Sequence, residues 1–210
     1  MDDADLALIL ALDCSASVSL ESFGRMASGC AAGLRDPAVT AGLLAGPQGA
    51  SLLALLIWSG PGAQEVMAGW TRLDTPESVA AFAEEVENVP RTIRAGATAI
   101  GDALRACEAL LLAAPAGATR VVIDMVGDGK SNQGILPHLV RDRLVAGGVT
   151  INGLCVLHEE PDLLAHYQAE IIGGPGAFAM TCQDFSEFEE AMRQKLRREI
   201  IAARQRGRLA

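Results

Sequence analysis

The stretch Leu6–Asp13 (LALILALD) is apolar at every position until it ends in a carboxylate. A strand with one wet face alternates polar and apolar residues; a strand covered on both faces has no need to. Leu6–Asp13 therefore predicts a central parallel strand buried on both sides. Leu52–Ser59 (LLALLIWS), Arg120–Val126 (RVVIDMV) and Thr150–Leu157 (TINGLCVL) predict further strands.

Segments of helical length separate these runs. Ser19–Leu34 carries Phe23, Met26, Ala27 and Cys30 at helical spacing and ends near Asp36-Pro37. Pro76–Asn88 reads as a helix entered through Thr75, Thr98–Leu112 as a strongly apolar helix, and Ile135–Ala146 as one closed by Gly147-Gly148. A short helix is expected near Asp162–Ile172 and a last short strand at Gly176–Thr181. Asp184 is placed to cap a helix from Phe185 onward, with Glu187 completing a capping box. Val66–Leu73 (VMAGWTRL) predicts a partly exposed antiparallel strand at the sheet's edge, and Ala41–Ala50 a Gly-rich loop. Strand–helix alternation implies right-handed crossovers. The expected fold is α/β: a doubly wound, mostly parallel six-stranded sheet with helices on both faces and one antiparallel edge strand. Residues 1–210 form a single domain in this reading.

The formal net charge of −9 over 210 residues argues against a nucleic-acid groove or an anionic membrane surface as the main partner. The basic residues crowd into Arg193–Arg208, which reads as an amphipathic terminal helix with a solvated basic face. No apolar stretch approaches the ~20 residues that span a bilayer. The first residues, Met1-Asp2-Asp3-Ala4-Asp5, are acidic where a secretory signal would be basic. The chain is then either cytoplasmic from a native Met1, or exported with its signal removed. Five cysteines is an odd count. Cys14, Cys107 and Cys155 read as small core residues, whereas Cys30 and Cys182 stay undecided. No Cys/His spacing suits zinc.

Ligands of such sheets bind beyond the carboxyl ends of the strands, near the switch point. Three loops there carry oxygen-bearing residues: Asp13-Cys14-Ser15-Ala16-Ser17 after the first strand, Ala95-Gly96-Ala97-Thr98 opening a helix, and Gly127-Asp128-Gly129 after Arg120–Val126. A hard cation takes about six oxygens, at ~2.0–2.1 Å for magnesium. Alternate residues of an extended turn point the same way, so Asp13, Ser15 and Ser17 can converge on one point. Each loop alone has a plainer reading. Ser17 or Ser19 can cap the following helix, and Thr98 the next. The agreement of all three is what points to a cation. Asp102, one turn after Thr98, is either a support for that site or a surface carboxylate. Asp124 is a polar residue inside an apolar strand, with no functional reading. His138, His158 and His166 read as ordinary surface or half-buried residues, Gly173–Gly176 as a tight turn, and Trp58 and Trp70 as packing.

DxSxS after an apolar first strand, Gly-x-Thr opening a helix and an Asp after a later core strand together resemble the metal-ion-dependent adhesion site of von Willebrand factor type A domains. The resemblance implies that Asp13, Ser15, Ser17, Thr98 and Asp128 hold a divalent cation, some through water. Mg²⁺ is the expected ion, with Ca²⁺ and Mn²⁺ open. It further implies a protein partner whose Asp or Glu completes the ion's shell, and a binding domain rather than an enzyme. LRDPAV (Leu34–Val39), GDGKSNQG (Gly127–Gly134), IIGGPGAF (Ile171–Phe178) and FEEAMRQKLRREI (Phe188–Ile200) resemble a bacterial type A-like subfamily of unknown function, DUF1194, whose members are usually exported. Cys14, inside the metal loop, alternates away from the ion and is expected in the core.

Val126–Asn132 also resembles the acidic Mg²⁺ loop of haloacid-dehalogenase phosphatases, with Asp13 as nucleophile. Ser15 stands where that nucleophile loop has a second acid, and Ser17 and Thr98 would have no role.

Overall fold

The computed structural model of the chain describes residues 3–206, with side chains through residue 200. The elements run β1 (Ala4–Asp13), α1 (Leu20–Leu34), α2 (Pro37–Leu43), β2 (Ser51–Trp58), β3 (Gln64–Leu73), α3 (Pro76–Glu87), α4 (Ile100–Leu112), β4 (Ala118–Gly127), α5 (Pro137–Ala146), β5 (Thr150–Val156), α6 (Leu163–His166), β6 (Ala179–Cys182) and α7 (Phe188–Arg206). The six strands are ordered β3-β2-β1-β4-β5-β6. Every pairing is parallel except β2 with β3, at the edge. This is the doubly wound sheet that the apolar runs predict.

β1 lies in the middle because both its edges and both its faces are taken. Leu8, Leu10 and Leu12 pack with α1, α3 and α7, while Ile9 and Ala11 pack with α4, α5 and α6 on the other side. Each fully buried leucine there contributes about 1.5–3 kcal/mol through area removed from water. β3 is half exposed, as an edge strand can be. Trp58 lies in the core, and half-buried Trp70 donates its indole N–H to Leu110 O at 2.8 Å.

Several elements differ from the sequence expectation. Pro37–Leu43 is a helix, not the end of α1 and the start of a loop. Asp36 caps it, accepting from the Ala38 and Val39 N–H groups at 3.0 and 3.2 Å, with Pro37 in its first turn. α7 begins at Phe188, three residues later than expected. Asp184 accepts from the Ser186 N–H at 2.7 Å and Glu187 from the Gln183 N–H at 2.9 Å. The box residues thus close a turn ahead of the helix instead of capping it. α6 runs into a π-helical turn over Tyr167–Ile171.

The basic character of α7 is also not wholly solvated. Lys195 is fully buried and ion-paired with Asp124 of β4, which supplies the partner that the strand's polar residue lacked in sequence. Beside it Glu199, also buried, pairs with Arg120 and accepts from Asn152 Nδ2. The expected basic residues after 200 and the Met1-Asp2 start lie outside the side chains described. No helix among the described residues is long and apolar enough to cross a membrane. All five cysteines are buried and free, and burial pushes the Cys14 thiol up to about 12.

Candidate metal centre

Asp13 closes β1, and Asp128 follows the last residue of β4. These strands are direct neighbours, pairing Leu12 with Val126. From β1 the chain winds to β2 on one side, while β4 lies on the other, so the two aspartates flank the switch point.

Hydrogen bonds carry one aspartate to the other. The Ser15 N–H donates to Asp13 Oδ1 at 2.6 Å. Ser15 Oγ lies 3.2 Å from Ser17 Oγ, and Ser17 Oγ donates to Asp128 Oδ1 at 2.6 Å. Thr98 joins from the loop that opens α4: its Oγ1 lies 3.5 Å from where a Cβ on Gly129 would stand. Thr98 does not cap α4; Ala99 occupies that position, which leaves the Thr98 hydroxyl for the site. The N-cap of α1 is Ser19, which leaves Ser17 equally available.

The backbone stitches the three loops together. The Ala16 N–H donates to Gly96 O at 2.9 Å, and the Asn132 N–H to Thr98 O at 2.9 Å. Asn132 Oδ1 in turn accepts from the Thr98 N–H at 3.0 Å. The five oxygen-bearing residues of sequence thus lie on one connected edge.

Burial dominates the electrostatics of the two aspartates. Asp13, Ser15, Thr98 and Asp128 are buried, yet Asp13 Oδ2 and Asp128 Oδ2 have no hydrogen-bond partner. Burial, and then the charge of Asp128, pushes the Asp13 carboxyl up to about 7. Burial also raises Asp128, against the opposing Ser17 hydrogen bond. Lys130, the lysine of the same loop, pairs instead with Asp162 at 2.7 Å and Glu160 at 3.3 Å. Two buried carboxylates with no lysine or arginine paired to them among the described residues, joined by neutral hydroxyls, are a donor set that suits a hard divalent ion. Among the described residues no group of three or more His, Cys, Asp or Glu side chains is placed to hold a metal.

Further residues complete the surroundings. Arg91 clamps the underside of the first loop, donating to Val18 O at 2.6 Å, Cys14 O at 2.7 Å and Ser15 O at 3.1 Å. Asp102 is buried rather than a surface carboxylate. It accepts from the Ile135 N–H at 2.9 Å and so anchors the loop that carries Asn132. A side chain on Gly134 (φ 78°) would strike Asp102 Oδ2, so only glycine fits that turn. Two of the three histidines border the site. His158 Nε2 lies 3.9 Å from Asp128 Oδ2, and His166 Nε2 accepts from the Ser131 N–H at 3.2 Å. His138 pairs with Glu170 at 2.6 Å.

The family of proteins of unknown function DUF1194 matches residues 3–204. No curated protein sequence matches the chain. Among solved structures, a form of proximal thread matrix protein 1 from the mussel byssus with a zinc-occupied metal-ion-dependent adhesion site has a TM-score of 0.65 at 19% identity, covering 92% of this chain and 48% of that one. A von Willebrand factor type A protein from Catenulispora acidiphila gives 0.64 at 18%, over 94% of this chain and 43% of that one. The von Willebrand factor domain of the type V pilus tip protein Mfa5 from Porphyromonas gingivalis gives 0.61 at 10%, over 95% and 96%. The chain spans less than half the length of the mussel and Catenulispora proteins. At such identities the likeness shows the fold, which is that of type A domains.

Proposed function

The chain belongs to the DUF1194 family, and from that premise we propose that residues 1–210 form one non-enzymatic, cation-dependent protein-binding domain. Asp13, Ser15, Ser17, Thr98 and Asp128 hold the ion, with Mg²⁺ the first choice and Ca²⁺ or Mn²⁺ alternatives. The observation that carries this reading is the pair of buried aspartates whose outer oxygens lack partners at the meeting of three loops. Two carboxylates and three neutral hydroxyls are fewer charged donors than a calcium-storage cage provides. The ion therefore remains open to one more anionic oxygen, and a partner's Asp or Glu side chain supplies it. The resemblance to an exported subfamily, and the pilus-tip neighbour, favour an exported setting.

In this reading the chain's own residues do three things. Ser15 and Ser17 orient the two carboxylates, Asn132 and Asp102 hold the Thr98 loop against the third loop, and Arg91 stiffens the first. The bound cation supplies the charge that draws the partner's carboxylate. A phosphatase with Asp13 as nucleophile would leave Ser17 and Thr98 idle, although both lie beside the aspartates.

Titration calorimetry with Mg²⁺, Ca²⁺ and Mn²⁺ tests the proposal. Wild type is expected to bind at least one of them one-to-one, and Asp13→Ala none. Null titrations from both proteins would overturn it. Turnover of a generic phosphate ester, abolished in Asp13→Asn, would move the reading to phosphoryl transfer.

A further inference from the structure

Tyr167 is a fully buried residue whose hydroxyl has no hydrogen-bond partner. A phenylalanine would fill the same space without burying a polar group, so the hydroxyl is the anomaly. Its position is specific. A Cβ on Gly153 of β5 would lie 2.6 Å from Tyr167 Cδ1, so the ring is seated on that glycine. A Cβ on Gly127 of β4 would lie 2.9 Å from the Tyr167 hydroxyl and 2.9 Å from Asp13 Oδ2. Two glycines on neighbouring strands thus clear a track across the sheet, one for the ring and one for its oxygen. The track ends at the aspartate oxygen that also lacks a partner. The two oxygens lie no further apart than twice that distance, a gap that a small carboxylate movement or one water closes. The π-helical turn that begins at Tyr167 aims the residue inward. Burial raises the phenol's pKa, with the charges of Cys155, Asp13 and Asp128 adding to it, so the hydroxyl remains a donor.

We propose that Tyr167 is a positioning residue of the metal site, whose hydroxyl donates to Asp13 Oδ2, directly or through one water, and holds that carboxylate in its ion-binding orientation. This rests on the metal reading above. Partners one shell beyond the ligands fix ligand orientation, and their loss typically weakens metal binding by about 10–100-fold.

The test is Tyr167→Phe, measured with Mg²⁺ alone as the probe, or with whichever of the three ions wild type binds. In EDTA the variant is expected to unfold at a slightly lower denaturant concentration than wild type, since it loses one donor to a buried carboxylate. In calorimetry its affinity for the ion is expected to fall by about 10–100-fold. A merely structural tyrosine predicts lower stability in EDTA with unchanged affinity, and that result would overturn the proposal. Equal affinities at equal stability would do the same while leaving the metal site standing. If wild type itself binds no ion, the metal reading falls, and this proposal with it.

Discussion

Asp124 and Asp128 lie four residues apart along one strand and its loop, and both are fully buried. Asp124 faces α7, where Lys195 meets it inside the core. Asp128 stands at the sheet's carboxyl edge beside Asp13, and among the described residues no lysine or arginine pairs with either. The fold sets a buried lysine against one carboxylate, while the nearest cationic group to the other two is His158 Nε2, 3.9 Å from Asp128 Oδ2. A buried charge requires a partner, because desolvation is otherwise too costly. Where the chain provides that partner, the carboxylate is a structural tie; where it does not, the proposed ion would supply the charge.

The contrast can be broken most severely at Asp124. Asp124→Asn strands Lys195 as an uncompensated buried charge, so chemical denaturation should show a loss of about 3–5 kcal/mol, in EDTA and in Mg²⁺ alike. The double variant Asp124→Leu/Lys195→Met, which replaces the pair by apolar groups, should recover most of that stability. A single variant as stable as wild type would mean that the pair carries no such weight.

The same substitution at Asp128 should carry the opposite sign. Without metal, Asp128→Asn removes one of two facing charges and keeps an oxygen for the Ser17 hydroxyl. Its stability in EDTA at pH 8 should rise by about 1 kcal/mol, the scale of one pKa unit. The stabilisation of wild type by added ion, about 2.7 kcal/mol at a hundredfold excess over Kd, should vanish. A loss of stability in EDTA comparable to that of Asp124→Asn would erase the distinction between the two sites.

Asp36 is the mildest case. Arg197, half exposed, donates to both of its oxygens at 2.6 and 3.0 Å. Those bonds, helped by the Val39 and Ala38 N–H groups, hold the Asp36 carboxyl below its ordinary 3.8. A depressed carboxylate stabilises the fold above its unfolded value, and that contribution fades as pH falls through the folded one. Arg197→Gln, which removes the half-exposed partner of a buried carboxylate that keeps its two backbone N–H donors, should therefore cost about 1 kcal/mol at neutral pH. The gap should close in acid denaturation below pH 3.8. A gap that persists unchanged to about pH 2 would assign it to packing of the arginine stem.

How much was legible varied with the range of the interaction. β1, β2, β4 and β5 followed from runs of apolar residues, and the edge position of β3 from its mixed composition. The helix Pro37–Leu43 was missed although Asp36-Pro37 carries its start signal, because its glycine and alanines read as loop. At the site, the five candidate oxygens were readable as three short motifs. Arg91 and Asn132 were not, since each acts through a contact with a loop distant in sequence, and Asp102 was readable only as one of two alternatives. Asp124 was visible as an anomaly, but its partner was not.

By itself, the sequence determined the doubly wound architecture and the residues worth examining, because burial on two faces and alternation around a turn are written in neighbouring positions. Only the tertiary structure decided which carboxylates are neutralised. Ser17 meets Asp128 across 111 positions, and Lys195 reaches Asp124 from the final helix. Electrostatics depends on distance through space, and no local pattern encodes it.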